Sequence, residues 1–253
     1  MSRQLRVLTW NVQGSQGLNV PAVAAVVNEA NPDVIALQEV QRRQAARLAA
    51  ALHLGGRRWV LKHWPVVHRA EGLAVLTPHR LVSADRFVLR PGWFWRWQRR
   101  VGLDVTIDVG GGTVRLLDVH LSPHDHRVQR RSEVDVIAAR ARRTPQLPIV
   151  VGDLNELPDE EAVAELVAAG WLDAWHERHG AEPGATNWTA GTRAGRPATQ
   201  RIDYVFVPAG WVVTDAEVIE ALDGGDSVES RDAMSRLSDH LPLVVTLRLP
   251  ELP

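Results

Sequence analysis

Cysteine is absent from the 253-residue chain, which excludes a disulfide framework and every thiolate metal site. Any bound metal must therefore take oxygen or imidazole ligands. Lysine is nearly absent too: Lys62 is the one lysine among 29 basic residues. Arginine forks suit phosphate contacts, but a bias spread over the whole chain reads first as coding composition. No apolar run reaches the ~20 residues needed to span a bilayer, so stable membrane insertion is not expected. The segment Met1 to Asn11 holds no apolar stretch followed by a small-residue cleavage site, which makes the cytoplasm the expected compartment. The net charge of −1, from 29 basic and 30 acidic residues, excludes a protein that coats nucleic acid by bulk charge. A polyanion must instead meet a local patch.

With 45% of its residues hydrophobic and 23% charged, the chain has the apolar content to bury a sizeable core. No linker, compositional break or internal repeat divides it, so one domain over 1–253, working as a monomer, is expected. Strand-like runs fall at 5–11, 33–38, 58–62, 72–77, 80–89, 101–109, 113–121, 148–152, 202–207, 211–219 and 241–248. Helical spacing appears at 20–30, 41–53, 126–143 and 159–169, each with one apolar stripe. Gly110, Gly111 and Gly112 between two apolar runs predict a hairpin, because such turns need positive φ. Many strands with few helices imply an α/β sandwich, helices covering the outer faces of packed sheets. Segments 177–200 and 220–237, rich in glycine and polar residues, read as long loops.

Polar residues gather where the apolar runs stop or start. Asn11 ends the first strand, Glu39 follows Val34 to Gln38, and His120 lies near the end of Val114 to Leu121. Asp153 and Asn155 follow Ile149 to Gly152, Asp203 opens Ile202 to Val207, and Asp239-His240 precede Leu241 to Leu247. Any one of them could simply terminate a strand, since Asp and Asn favour turns. Their number argues for more: in antiparallel sheets, strand starts and ends share an edge, so one rim can gather all of them. Two carboxylates ~4 Å apart at an effective dielectric of ~20 repel by about 4 kcal/mol. A cation relieves that repulsion, and carboxylate and amide oxygens suit a hard ion, Mg²⁺ or Mn²⁺, that also contacts a phosphate.

The stretches Thr9-Trp10-Asn11, Leu37-Gln38-Glu39, Asp118-Val119-His120-Leu121, Gly152-Asp153-Leu154-Asn155, Arg201-Ile202-Asp203-Tyr204 and Ser238-Asp239-His240 occur in this order. In this respect the chain resembles the endonuclease/exonuclease/phosphatase superfamily, the DNase I-like metal phosphoesterases. The resemblance implies a four-layer α/β/β/α sandwich of two packed mixed β-sheets with outer helices. It implies that Asn11 and Glu39 hold the principal cation, with Asp239 beside it, and that Asp153 and Asn155 position water and phosphate, also within reach of a metal. It makes His240 the group that orients or deprotonates the water, with Asp203 on its other ring nitrogen. His120 would stabilise phosphoryl oxygens or protonate the leaving oxygen, paired with Glu71; the Glu71 match is the weakest.

The superfamily's substrates range from nucleic acids to lipid headgroups, so the shared centre leaves the substrate open. Val119 to Ser122 and Gln13 depart from the abasic-site endonuclease pattern, and segment 186–203 departs from that of the inositol polyphosphate 5-phosphatases. The expectation is a Mg²⁺- or Mn²⁺-dependent phosphodiester hydrolase with a nucleic-acid substrate, in short a nuclease. The alternative is a phosphoesterase acting on a small-molecule or lipid headgroup phosphate. Three further features carry two readings each. The aromatic and basic stretch Trp93-Phe94-Trp95-Arg96-Trp97-Gln98-Arg99-Arg100 reads as an alternating strand, or as a surface that stacks bases or inserts at a lipid interface. His124 and His126 read as solvated loop residues or as phosphate contacts beside His120. The arginines of 126–143 form a solvated helix face or a phosphate dock.

Overall fold

The structure is a computed structural model that describes residues 3–61, 70–90, 99–188, 196–221 and 228–250. One sheet holds β1 (Gln4–Asn11), β2 (Val34–Gln41), β3 (Gly56–Leu61), β4 (Glu71–Thr77), β11 (Val212–Val218) and β12 (Leu243–Arg248). The other holds β5 (Arg80–Arg90), β6 (Arg100–Asp108), β7 (Thr113–His120), β8 (Ile149–Asp153), β9 (Trp171–Asp173) and β10 (Asp203–Pro208). Their orders are β11-β12-β1-β2-β4-β3 and β5-β6-β7-β8-β10-β9. Each sheet has one parallel pair near its middle, β1–β2 or β7–β8, flanked by antiparallel neighbours.

Period-two alternation builds the layers. In β1, Leu5 and Val7 pack between the sheets while Leu8 and Trp10 face helices α1 (Val20–Ala30) and α2 (Arg42–Ala51). In β8 and β10, Ile149, Val151, Val205 and Val207 line the inter-sheet core. Val150, Tyr204 and Phe206 face α3 (Arg127–Ala141) and α4 (Glu161–Ala168) on the other outer side. Two mixed sheets back to back with helices outside form the four-layer sandwich that the motifs implied. At the 110–112 turn all three glycines have positive φ, and β6 and β7 pair as the predicted hairpin.

The loop expectations need correction. Residues 228–237 form a helix, α6 (Val228–Leu237), whose Met234 is buried with the α1 and α2 core. Its interior is mostly polar, so apolar spacing gave no signal. Ala174–His179 form a short helix, α5, after the three-residue strand β9. Beyond α5, Asn187 bridges Gln200 and His240, tying the segment to the site edge. Residues 93–98 of the aromatic and basic stretch lie outside the described residues, and Arg100 opens β6. No helix among the described residues is long and apolar enough to cross a membrane.

Candidate active site

The pairing pattern explains why residues distant in sequence meet. The C-terminal ends of parallel β1 and β2 lie at the same sheet edge, as do those of β7 and β8. Strands antiparallel to these, β12 and β10, begin at that edge. His120 and Asp203 are both register partners of Asp153. Alternation then selects the face. Asn11 continues the inter-sheet set of Leu5 and Val7, His120 that of Val114 and Leu116, and Asp153 and Asp203 those of their own strands. Asn11, His120 and Asp153 extend their apolar rows past the end of the core into a cleft of about 650 Å³, and Asp203 lies buried just behind its lining.

Glu39 breaks this rule. Gln38 follows Val34 and Ala36 on the inter-sheet face, so strict alternation would turn Glu39 toward the helices. Instead the β2–β4 register shifts between Leu37 and Val40, and Glu39 has φ 56°. A bulge of this kind re-aims one side chain, and Glu39 lines the cleft. Gln13 (φ 42°) and Asn155 (φ 51°) also line it in left-handed backbone, unusual for residues with a side chain. Strain of this sort concentrates at functional sites. Gly152, next to Asp153, has φ 133°, and a Cβ there would sit 1.9 Å from the Val119 carbonyl oxygen, so β8 accepts no side chain at that point.

Asp153 sits at the centre. Its Oδ2 accepts from Asn11 Nδ2 at 3.0 Å, and its Oδ1 accepts from the Asn155 amide at 2.9 Å. His120 Nε2 lies 3.5 Å and His240 Nε2 3.8 Å from Asp153 Oδ2. The other ring nitrogen of His240, Nδ1, is 2.8 Å from Asp203 Oδ2, the pairing the motifs implied. His120 Nδ1 is 3.9 Å from Glu39 Oε1. Asp239 accepts from Gln13 Nε2 at 2.8 Å, and its carbonyl accepts from Asn187 Nδ2 at 3.0 Å. Glu71 stands apart from the cleft-lining set at the start of β4, where its carboxylate accepts the Ser15 amide at 3.0 Å. Trp10 Nε1 donates to the His240 carbonyl and Ser238 Oγ to that of Asn11, fixing the β1–β12 edge from below.

Burial pushes the Asp153 carboxyl up, the charge of His240 opposes it, and Asp203 adds to the rise. Burial alone would lower His240, but Asp203 and Asp153 outweigh it, and its pKa is pushed up to about 10. Asp203 Oδ1 is buried without a hydrogen-bond partner. This crowding of buried carboxylates, with amide oxygens and no sulfur around it, fits a hard divalent cation. Ligand atoms of Asp153, Asp203 and His240 lie within 4.8 Å of one another. Nδ1 of that histidine is already committed to Asp203, so the open end at Asn11, Glu39, Asp153 and Asp239 suits the ion better.

The profile of the Endonuclease/Exonuclease/phosphatase family matches residues 8–240, nearly the whole described chain. The chain belongs to this family. It is 28% identical over 187 residues to a 5′-tyrosyl-DNA phosphodiesterase of Caenorhabditis briggsae, covering 68% of this chain and 49% of that protein. The chain thus spans about half the length of the curated relative it matches. An endonuclease/exonuclease/phosphatase from Beutenbergia cavernae superposes with TM-score 0.75 at 26% identity, over 98% of this chain and 72% of that one. A mannosyl-6-phosphatase from Bacteroides thetaiotaomicron superposes with the same score at 20% identity, over 97% and 100% of the two chains. The last likeness shows the fold alone.

Three site features were missed in the sequence. Arg100 is 7% exposed, lines the cleft, and has an Nη1 with no hydrogen-bond partner. Burial lowers its pKa, opposed by the nearby Glu133, Asp153 and Glu39. The sequence showed it only as the last residue of the aromatic and basic stretch, and alternation along β6 sets it opposite the core row of Val101 and Leu103. Gln13 and Asn187 steady Asp239 from loops, where sequence spacing says nothing about contacts. The arginines of α3 also need correction. Arg127 pairs with Glu161 at 3.1 Å, Arg131 with Glu161 and Glu165 at 3.0 and 2.9 Å, and buried Arg130 with Glu156. Acids of α4 and its approach engage these three, whereas Arg142 and Arg143 are exposed, as a solvated face would have them. His124 lines the cleft mouth, 3.7 Å from Glu160, and His126 lies outside the lining.

Proposed function

We propose that the protein is a divalent-cation-dependent phosphodiester hydrolase acting on nucleic acid. The observation that carries this reading is the Asp203–His240 pair held 3.8 Å from Asp153, at the open end of a carboxylate and amide cluster. Asn11, Glu39 and Asp239 would hold Mg²⁺ or Mn²⁺, with Asp153 and Asn155 shared between the cation and the water. The bound cation supplies charge neutralisation at the phosphoryl oxygens.

The remaining chemistry belongs to the side chains. Asp203 fixes the Nδ1–H tautomer and leaves Nε2 facing the cleft. In the protein alone Asp153 and Asp203 hold a proton on His240. A cation held by Asn11, Glu39 and Asp239 would offset the Asp153 charge, and the residue left to take a proton from the attacking water is His240, through Nε2. The water oxygen bonds to phosphorus as the bond to the departing alkoxide breaks, and His120 returns a proton to the leaving oxygen. Arg100 offers Nη1 to a non-bridging oxygen, which gives that nitrogen the hydrogen-bond partner it lacks in the protein. Glu71 would act at a distance, through the turn that carries Ser15.

Nucleic acid is favoured over a small headgroup by the open cleft and by the tyrosyl-DNA phosphodiesterase relative. Substrate competition tests the choice: with Mg²⁺ present, an oligonucleotide should inhibit bis(p-nitrophenyl) phosphate turnover at lower concentration than a mononucleotide, a sugar phosphate or a dispersed phospholipid. The reverse order would assign the centre to a small phosphoester.

A further inference from the structure

Charge is unevenly distributed along this nearly neutral chain. Between Glu39 and Glu71 lie seven of the 29 basic residues and none of the 30 acidic ones. Among the described residues of that span, Arg42, Arg43 and Arg47 are exposed on α2, and Arg57 and Arg58 are exposed on the edge strand β3. None of the five makes a side-chain hydrogen bond or ion pair, whereas α3 meets acids at Arg127, Arg131 and Arg140. Arg42 and Arg43 even occupy the first helical turn, which no acid shares. There the positive end of the peptide dipoles disfavours cations, so stability does not account for their placement.

This surface adjoins the cleft. α2 begins three residues after Glu39, and Gln44 Nε2 donates to the carbonyl of Gly14 at 2.8 Å, beside cleft-lining Gln13. Arg43 and Arg47 stand one turn apart and face the same way, about 5–6 Å between Cβ atoms. Trp59 packs on the helix side of β3 and Val60 between the sheets, so Arg57 shares the α2 side and Arg58 stands at the open edge. An anionic bilayer would also engage exposed apolar side chains. Among the described residues, the large exposed ones, Val82, Val88, Val128, Val167 and Val212, all lie elsewhere.

We infer that the α2–β3 flank is the track along which a nucleic-acid strand runs into the cleft, its phosphates met by Arg42, Arg43, Arg47 and Arg57. This rests on the proposed function and names the side from which its substrate enters. The test is fluorescence anisotropy with a phosphorothioate single strand of about twelve nucleotides, within the usual range of single-strand sites, recorded across salt concentrations. Replacing the four arginines (Arg42→Gln, Arg43→Gln, Arg47→Gln, Arg57→Gln) should weaken binding and flatten the slope of log K against log salt by about 0.7 per arginine, about 3 in all. Arg42→Gln/Arg43→Gln alone should remove about half of that change, which separates lost charge from lost fold. Arg127→Gln/Arg131→Gln should leave both affinity and slope as in the natural chain. Unchanged binding in the fourfold variant, equal loss in the α3 pair, or loss of phosphatidylserine vesicle binding with oligonucleotide binding intact would each overturn the track. Because the phosphorothioate strand reports binding alone, a chain that binds as expected yet cleaves no phosphodiester would refute the proposed function and leave the track standing.

Discussion

Nδ1 of His240 stands 2.8 Å from Oδ2 of Asp203, and both side chains are buried at the start of neighbouring elements in different sheets. The pair therefore bridges the two halves of the sandwich at the point where the cleft opens. Asp203→Asn keeps the volume but can no longer stabilise an imidazolium or enforce the same tautomer. Its kcat should fall about 10²- to 10⁴-fold, the range for loss of positioned acid–base catalysis, with KM changed little. Steady-state kinetics on bis(p-nitrophenyl) phosphate would read this, and a loss confined to KM would contradict it.

The same pair sets a pH dependence. The folded pKa of His240, about 10, lies above its ordinary 6.5. The stability it contributes is therefore fully present below pH 6.5 and is lost as pH rises through about 10. Urea unfolding of the metal-free protein should show the gap between the natural chain and His240→Gln narrowing steadily over that window. A constant gap would mean the charge is not held by Asp203 and Asp153.

Arg100 is a buried guanidinium whose Nη1 has no hydrogen-bond partner, an arrangement that costs stability. Arg100→Met should raise the melting temperature while lowering kcat/KM by about 10-fold or more, the worth of one charge-assisted contact. Destabilisation together with full activity would mean the residue serves the fold.

Asp118 is fully buried, accepts from Gln38 Nε2 at 2.7 Å through Oδ1, and leaves Oδ2 without a partner. Burial pushes its carboxyl well above the ordinary range. Its favourable form is the neutral acid, so stability is lost as pH rises through the raised value. Asp118→Asn preserves the acceptor and should match the natural chain near pH 4 and exceed it increasingly toward neutral pH. Gln38→Leu strands the acid and should cost about 1–3 kcal/mol. Thermal melts across pH would check both.

Much of the site was legible because period-two alternation holds in β1, β7, β8 and β10: apolar rows ending in Asn11, His120, Asp153 and Asp203 point to one edge. Glu39 was found by its motif, while its bulge was invisible, since a single left-handed residue leaves no periodic trace. α6 and α5 escaped because polar helices and single turns lack an apolar stripe. Partners on separate elements, such as Glu161 for Arg127 or Gln13 for Asp239, depend on tertiary placement that spacing does not encode. Arg100 stood out only as the end of a basic stretch and not as a site residue, because a strand arginine off the core row looks like a surface residue.

The central claim is that one edge of two sheets gathers a cation and a His–Asp pair to hydrolyse phosphodiesters. Its most direct test is bis(p-nitrophenyl) phosphate turnover by the natural chain, with Mg²⁺ or with EDTA, beside Glu39→Ala and His240→Ala. The expected result is turnover that needs the cation and falls at least about 10²-fold in each variant. Full turnover in EDTA, or full activity in both variants, would contradict it.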